Sequence, residues 1–237
     1  MASGPRERCI AQLVSEIDHL KTFRHWNLVS YLGVARKDDT LNILQEYVPG
    51  QTLESFIKNK MTLQGGIPEL LVAKYAEGIL LGMEFLHQNE AAHGSIKAAN
   101  VFVNDDGSCK LADFGRVRQI CEASTSRQSK FHSNTPYWTA PELIRKEDRS
   151  TPSRFSDVWS LGCTVYEMVV GQPPWFEEDQ LTLLMTIAYT ENGPRYPGSI
   201  SAELEDFLDC CFQIEPTQRA NVYELIRHPF IQRMKLA

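Results

Sequence analysis

Residues 93–115, HGSIKAANVFVNDDGSCKLADFG, hold more structural information than any other stretch of this 237-residue chain. Helical periodicity stops near Asn89. A loop then leads into the short apolar run Val101-Phe102-Val103, a polar turn at Asn104-Asp105-Asp106-Gly107, and a second short strand ending at Leu111. Short strands joined by polar loops make a rigid frame for exposed side chains, so the pattern predicts a site built on loops.

Upstream, Ile10, Leu13, Val14, Ile17 and Leu20 recur at helical spacing, with Glu16, Asp18 and Lys21 on other faces. This predicts one amphipathic helix over Ile10 to Leu20. Two β-favouring runs follow, Leu28 to Val34 and Leu41 to Val48, separated by RKDDT, which reads as an antiparallel hairpin. Pro49-Gly50 ends the strand character. A short helix is predicted from Leu53 to Lys60 and a longer one from Pro68 to about Gln88, with proline at the first helical position.

Downstream, residues 116–135 are rich in Ser, Thr, Arg and Gln without periodicity and read as a long exposed segment. Helices are predicted over Phe155 to Val170, Asp179 to Tyr189, Ala202 to Phe212 and Val222 to His228, punctuated by GQPPW, NGPRYPG and IEPTQR.

Hydrophobic residues make up 43% of the chain and charged residues 23%, within the range of globular proteins. A net charge of -6 gives no electrostatic footprint for nucleic acid, and no basic run marks a membrane surface. The most apolar helix, Pro68 to His87, is interrupted by Lys74, Glu77 and Glu84, so no membrane insertion is expected. MASGPRERC lacks the apolar core of a signal peptide, and the expected location is cytoplasmic. The six cysteines form no CxxC pair, which argues against zinc.

Three segments occur in order: HGSIKAANVFV from His93, LADFGRV from Leu111 and TPYWTAPEL from Thr135. Together they resemble the catalytic loop, the metal-binding DFG turn and the end of the activation segment of protein kinases. SDVWSLGCTVYEM and EPTQRANVYELIRHPF resemble the family's central buried helix and C-terminal helices. Within the family, EIDHLKTFRHWNLVSYLG, EYVPGQTL and TPYWTAPE are similar to MAP kinase kinase kinases.

The resemblance implies roles residue by residue. Asn100 and Asp113 match the two residues that hold Mg²⁺, and Lys97 matches the lysine that steadies the transferring phosphate. Gln45 falls at the gatekeeper position, Glu46, Tyr47 and Val48 at the hinge, and Phe102 beside them in the adenine pocket. Glu16 occupies the place of the helix glutamate that pairs with a strand lysine. No lysine precedes Lys21, so Glu16 reads as a solvated charge. Leu20, Tyr31, His93 and Phe114 match the apolar stack joining the lobes, with Asp157 beneath fixing the catalytic-loop backbone, and Glu142 and Arg219 match an internal ion pair.

Two departures bear on activity. His93-Gly94-Ser95 stands where the family writes His-Arg-Asp, so Ser95 replaces the carboxylate that accepts the substrate proton, and Gly94 replaces an arginine that commonly receives an activation-segment phosphate. No Gly-rich loop and no V-A-I-K-like strand precede the first helix.

The resulting expectation is an α+β, protein-kinase-like fold, with a remnant small lobe and hinge over 1–50, made of one helix and a two-stranded hairpin. A complete, mostly helical large lobe spans 51–237. The expected function is that of a pseudokinase, a scaffold or regulator in kinase signalling, which holds ATP and Mg²⁺ weakly and binds protein partners such as other kinases of a cascade. An active serine/threonine kinase and a non-functional fragment remain the alternatives.

Overall fold

A computed structural model of the protein describes residues 5–37, 40–64, 66–104, 108–115, 136–145 and 151–233. The segment 116–135 and the 105–107 turn therefore lie outside the described residues.

Helix α1 spans Pro5–Leu20, with Leu13, Ile17 and Leu20 buried, and so begins five residues ahead of the predicted start. That first turn, PRERC, is polar and lies outside the apolar stripe from which the helix was read. The hairpin is antiparallel as expected, but its strands are β1, Tyr31–Lys37, and β2, Thr40–Gln45, with the pairing running out to Lys37↔Thr40. Leu28 and Val29, predicted as strand, instead stitch the hairpin to the body. Val29 N–H donates to Leu111 O and Leu111 N–H to Asn27 O, both at 2.8 Å. The other end of β2 stops at Gln45 because Glu46 N–H leaves the ladder for Ser30 O at 2.9 Å.

A second sheet holds β3 (Gln51–Thr52), β4 (Val101–Val103) and β5 (Cys109–Leu111) in antiparallel order β3-β4-β5. Strand β3 is too short to show a period and was not foreseen. Helix α2 spans Leu53–Gln64 and α3 Glu69–Gln88. Pro68 caps α3 rather than starting it, offering its carbonyl to Leu71 and Val72 N–H. The small residues Gly78 and Gly82 let α3 approach closely: a Cβ at Gly78 would meet Cys109 Sγ at 2.5 Å, and one at Gly82 would meet Asn27 O at 3.0 Å.

Then come α4 (Pro141–Arg145), α5 (Arg154–Val170), α6 (Gln180–Tyr189), α7 (Ala202–Cys211), α8 (Val222–Ile226) and α9 (Pro229–Gln232). Helix α5 starts with a capping box of Ser153 and Ser156 and ends on Gly171 at φ +87°, where a residue without Cβ is unstrained. Its Trp159, fully buried, packs at 5.0 Å from the Phe212 ring, so α5 is the axis around which α3, α7 and the C-terminal turns gather. The architecture is a mixed α/β kinase-like fold, mostly helical, with few strands and a partial small lobe.

Candidate active site

The capping box that begins α5 places Asp157 in the first helical turn, where it is 1% exposed. A buried carboxylate needs several donors. Asp157 receives them from the loop: His93 N–H and Gly94 N–H at 2.8 Å each, with His87 Nε2 at 2.9 Å. One side chain thus ties the end of α3, the start of α5 and the loop 89–100 together. His87 was not singled out from the sequence, where the available signal was a histidine in the last turn of a long, largely buried helix.

Gly94 sits at φ +75°, in the left-handed region that costs residues with a Cβ about 1 kcal/mol or more. Beyond it, Ser95 is half-buried, and Asn100 Nδ2 donates to both its carbonyl, at 2.8 Å, and its Oγ, at 3.0 Å. Ser95 N–H in turn donates to His93 Nδ1 at 3.2 Å. Burial keeps the His93 imidazole below its ordinary pKa, and Asp157 pulls in the opposite direction.

Asp113 is exposed at φ +59°, and Gln45 Nε2 approaches its carboxylate at 3.4 Å across the lobes. The next residue, Phe114, is fully buried and its carbonyl accepts Tyr31 Oη–H at 3.0 Å. Its ring lies 5.1 Å from that of Tyr31 and 6.3 Å from that of His93. Leu20 completes the group: a Cβ at Gly115 would lie 2.7 Å from Leu20 Cδ1. The four residues of the expected apolar stack are therefore brought together. Phe23, stacked on Phe114 at 6.4 Å, extends the group and was missed.

Glu16 is half-buried rather than solvated, because α1 leans on the turn: the same Cβ position at Gly115 is 3.3 Å from Glu16 Oε1. Glu46 pairs with Lys110 at 2.6 Å. Burial raises its pKa, but hydrogen bonds from Lys110 and Ser30 outweigh burial and leave it below the ordinary value. Tyr47 is exposed and Val48 half-buried. Phe102, between the buried Val101 and Val103, lies on the opposite face of the short sheet. Lys97 Nζ rests 5.7 Å from the ring of Trp138, whose Nε1–H donates to Glu167 Oε2 at 3.0 Å. Burial pushes Glu167 up to about 7. The predicted Glu142–Arg219 pair is bidentate, both contacts at 2.8 Å, and Arg219 also donates to three backbone carbonyls.

Asn100 and Asp113 together offer a carboxamide and a carboxylate oxygen, donors that suit Mg²⁺ when phosphates and water complete its shell. With its nitrogen committed to Ser95, Asn100 would ligate through oxygen. The chemistry of these two side chains therefore fits the metal.

Elsewhere, Asp206, Cys210 and His228 bring three ligand-type atoms within 4.8 Å. His228 Nδ1 accepts Phe230 N–H at 3.2 Å, which puts the ring proton on Nε2, 3.0 Å from Asp206. Both ring nitrogens are thereby engaged and the group caps α9. Among the described residues no helix is long and apolar enough to cross a membrane.

Residues 3–231 match the model of the protein kinase domain. The chain is 41% identical over 223 residues to mitogen-activated protein kinase kinase kinase 2 of Arabidopsis thaliana, covering 94% of this chain and 33% of that protein. It is 37% identical to mitogen-activated protein kinase kinase kinase A of Dictyostelium discoideum, covering 98% and 24%, and 38% identical to mitogen-activated protein kinase kinase kinase 3 of Homo sapiens, covering 95% and 35%. The chain spans about one third or less of the length of these curated relatives.

Proposed function

The chain belongs to the protein kinase family, and from that premise we propose that it is a catalytically impaired member acting as a scaffold or regulator through protein partners. The observation that carries this reading is Ser95: its hydroxyl, held by Asn100 at 3.0 Å, stands where a carboxylate would take the substrate proton. A serine hydroxyl is no base near neutral pH, and positioned acid-base catalysis contributes roughly 10²- to 10⁴-fold.

ATP and Mg²⁺ are held weakly in this reading. Asn100 and Asp113 would hold the ion, which when bound neutralises phosphate charge. Gln45 orients Asp113, and Asp157 keeps the loop in place. The hinge residues Glu46, Tyr47 and Val48, with Gln45 and Phe102, would border the adenine. Lys97, resting on Trp138, is the cation nearest in role to the transferring phosphate. The division into a small lobe and hinge over 1–50 and a large lobe over 51–237 is part of the proposal, as is a cytoplasmic place among kinases of a signalling cascade.

A second reading, a weakly active serine/threonine kinase, is favoured by one observation: the stack of Leu20, Tyr31, His93 and Phe114 is assembled. A thermal-shift titration with ATP tests the proposed function, with label transfer measured on the same sample. The expected result is a small stabilisation that requires Mg²⁺ and is lost in Asp113→Ala, with transfer at background. A large stabilisation without Mg²⁺ that persists in Asp113→Ala would contradict it.

A further inference from the structure

The C-terminal end of α3, the start of α5 and residues 217–224 enclose a cavity of about 620 Å³, a size at which small-molecule sites are found. Phe155, Val158 and Val222 make part of its wall apolar. The polar groups of the wall divide into those already spent and those still open. Arg219 is spent, since its donors go to Glu142 and to three backbone carbonyls. Glu224, the carboxylate on this wall, accepts Asn221 N–H at 2.7 Å. Asn221 Oδ1 accepts Tyr223 and Glu224 N–H, which leaves its amide nitrogen to donate. Arg154 is exposed and its guanidinium lies 4.8 Å from the Phe155 ring, and among the described residues it pairs with no carboxylate. The open groups are donors, one of them a cation, so the ligand they suit is an anion.

His87 narrows the choice of anion. Its side chain is 8% exposed, and its Nε2 lies 2.9 Å from Asp157 Oδ2, a carboxylate that can only accept, so the ring proton is on Nε2. Nδ1 then presents a lone pair, and among the described residues nothing donates to it. A carboxylate or a sulfate brings no proton near neutral pH and would set an oxygen against that lone pair. A phosphate monoester, whose second pKa is about 6, brings oxygens for a guanidinium and also a hydroxyl for the imidazole. We propose that this cavity binds a small organic phosphate monoester. Its phosphate is held by Arg154, Asn221 and His87, and its apolar part rests on Phe155 and Val222. The wall shares no residue with the metal and hinge positions described above. Because His87 also contacts Asp157, which accepts His93 and Gly94 N–H, an occupied cavity steadies the loop 89–100.

Titration calorimetry of the whole chain with phenyl phosphate tests this, with phenyl sulfate and a phosphoserine peptide as comparisons and hydrogen exchange to locate the ligand. Phenyl phosphate should bind with a dissociation constant of about 1 mM or tighter, and at least about fivefold more tightly than phenyl sulfate. Arg154→Glu should weaken it about tenfold or more without lowering the melting temperature, since the side chain is exposed. Exchange should slow at residues 217–224 and at His93 and Gly94. No binding at roughly 10 mM, equal binding of the sulfate, or an Arg154→Glu chain that binds as well as the parent overturns the proposal. Protection confined to residues 45–48 would overturn it by putting the phosphate in the nucleotide cleft. A peptide that binds more tightly than phenyl phosphate would overturn the small-molecule assignment and place the phosphate on a protein partner.

Discussion

The two sides of the loop 89–100 differ in how they are built. On the side facing α5, Asp157 is buried and gathers His87, His93 N–H and Gly94 N–H, and Asn100 clamps Ser95 from below. On the side facing solvent stand Gly94, Ser95 and the exposed Asp113. The first side is tied down by buried hydrogen bonds, while the second presents a serine hydroxyl rather than a carboxylate at position 95, the difference on which the proposed loss of activity rests. Backbone hydrogen bonds from His93 and Gly94 to Asp157 anchor the loop without using the side chain of Ser95, which is held separately by Asn100.

The comparison can be broken first on its anchored side. Arg219→Ala leaves Glu142 without its bidentate partner, and removing one member of a buried pair costs about 3 to 5 kcal/mol. Denaturant melts measure it, and a variant as stable as the parent would show that α4 needs no such anchor. Asp157→Ala strands the buried His93 N–H and frees the part-buried Gly94 N–H, and should cost roughly 1 to 3 kcal/mol, with faster hydrogen exchange at His93 and Gly94.

Glu167 sharpens the comparison through pH. Its folded pKa is raised from 4.5 to about 7, so the folded state holds a proton that the unfolded chain releases. The resulting stability is fully present below about pH 4.5 and is lost as pH rises through about 7. Glu167→Gln, which still accepts from Trp138, should match the parent near pH 4 and exceed it by about 1 to 3 kcal/mol above pH 8. Equal melts at both pH values would contradict this. On the reacting side the effects shrink. Gly94→Arg forces a Cβ into φ +75° and should cost about 1 kcal/mol in the same melts, and no cost would mean that the loop relaxes freely.

Much of this was legible in the sequence, for identifiable reasons. Periodicity located α1, α3 and α5 because each buries one long stripe, while HGSIKAANVFV and LADFGRV placed Asn100 and Asp113 on a loop and a turn, and SDVWSLGCTVYEM placed Asp157 on a helix. What stayed hidden depended on distant partners. Leu28 and Val29 looked like strand, yet Leu28 N–H turns back to His25 O while Val29 N–H reaches Leu111 O and Leu28 O accepts from Lys110, partners far away in the sequence. The stretch PELIR is too short for a period and becomes α4 beside Arg219. Glu16 reads as a surface charge until Gly115 is folded beneath it. His87 and Trp138 show no pattern alone, because Asp157 and Glu167 give them their roles.

The central claim is that an anchored loop without a carboxylate at position 95 does not transfer phosphate. Its most direct measurement is incorporation of label from γ-labelled ATP into a generic basic protein, with and without Mg²⁺, using folded, monodisperse chain. The account predicts incorporation no greater than in Asp113→Ala. Clear Mg²⁺-dependent incorporation by the parent, abolished in Asp113→Ala, would contradict it.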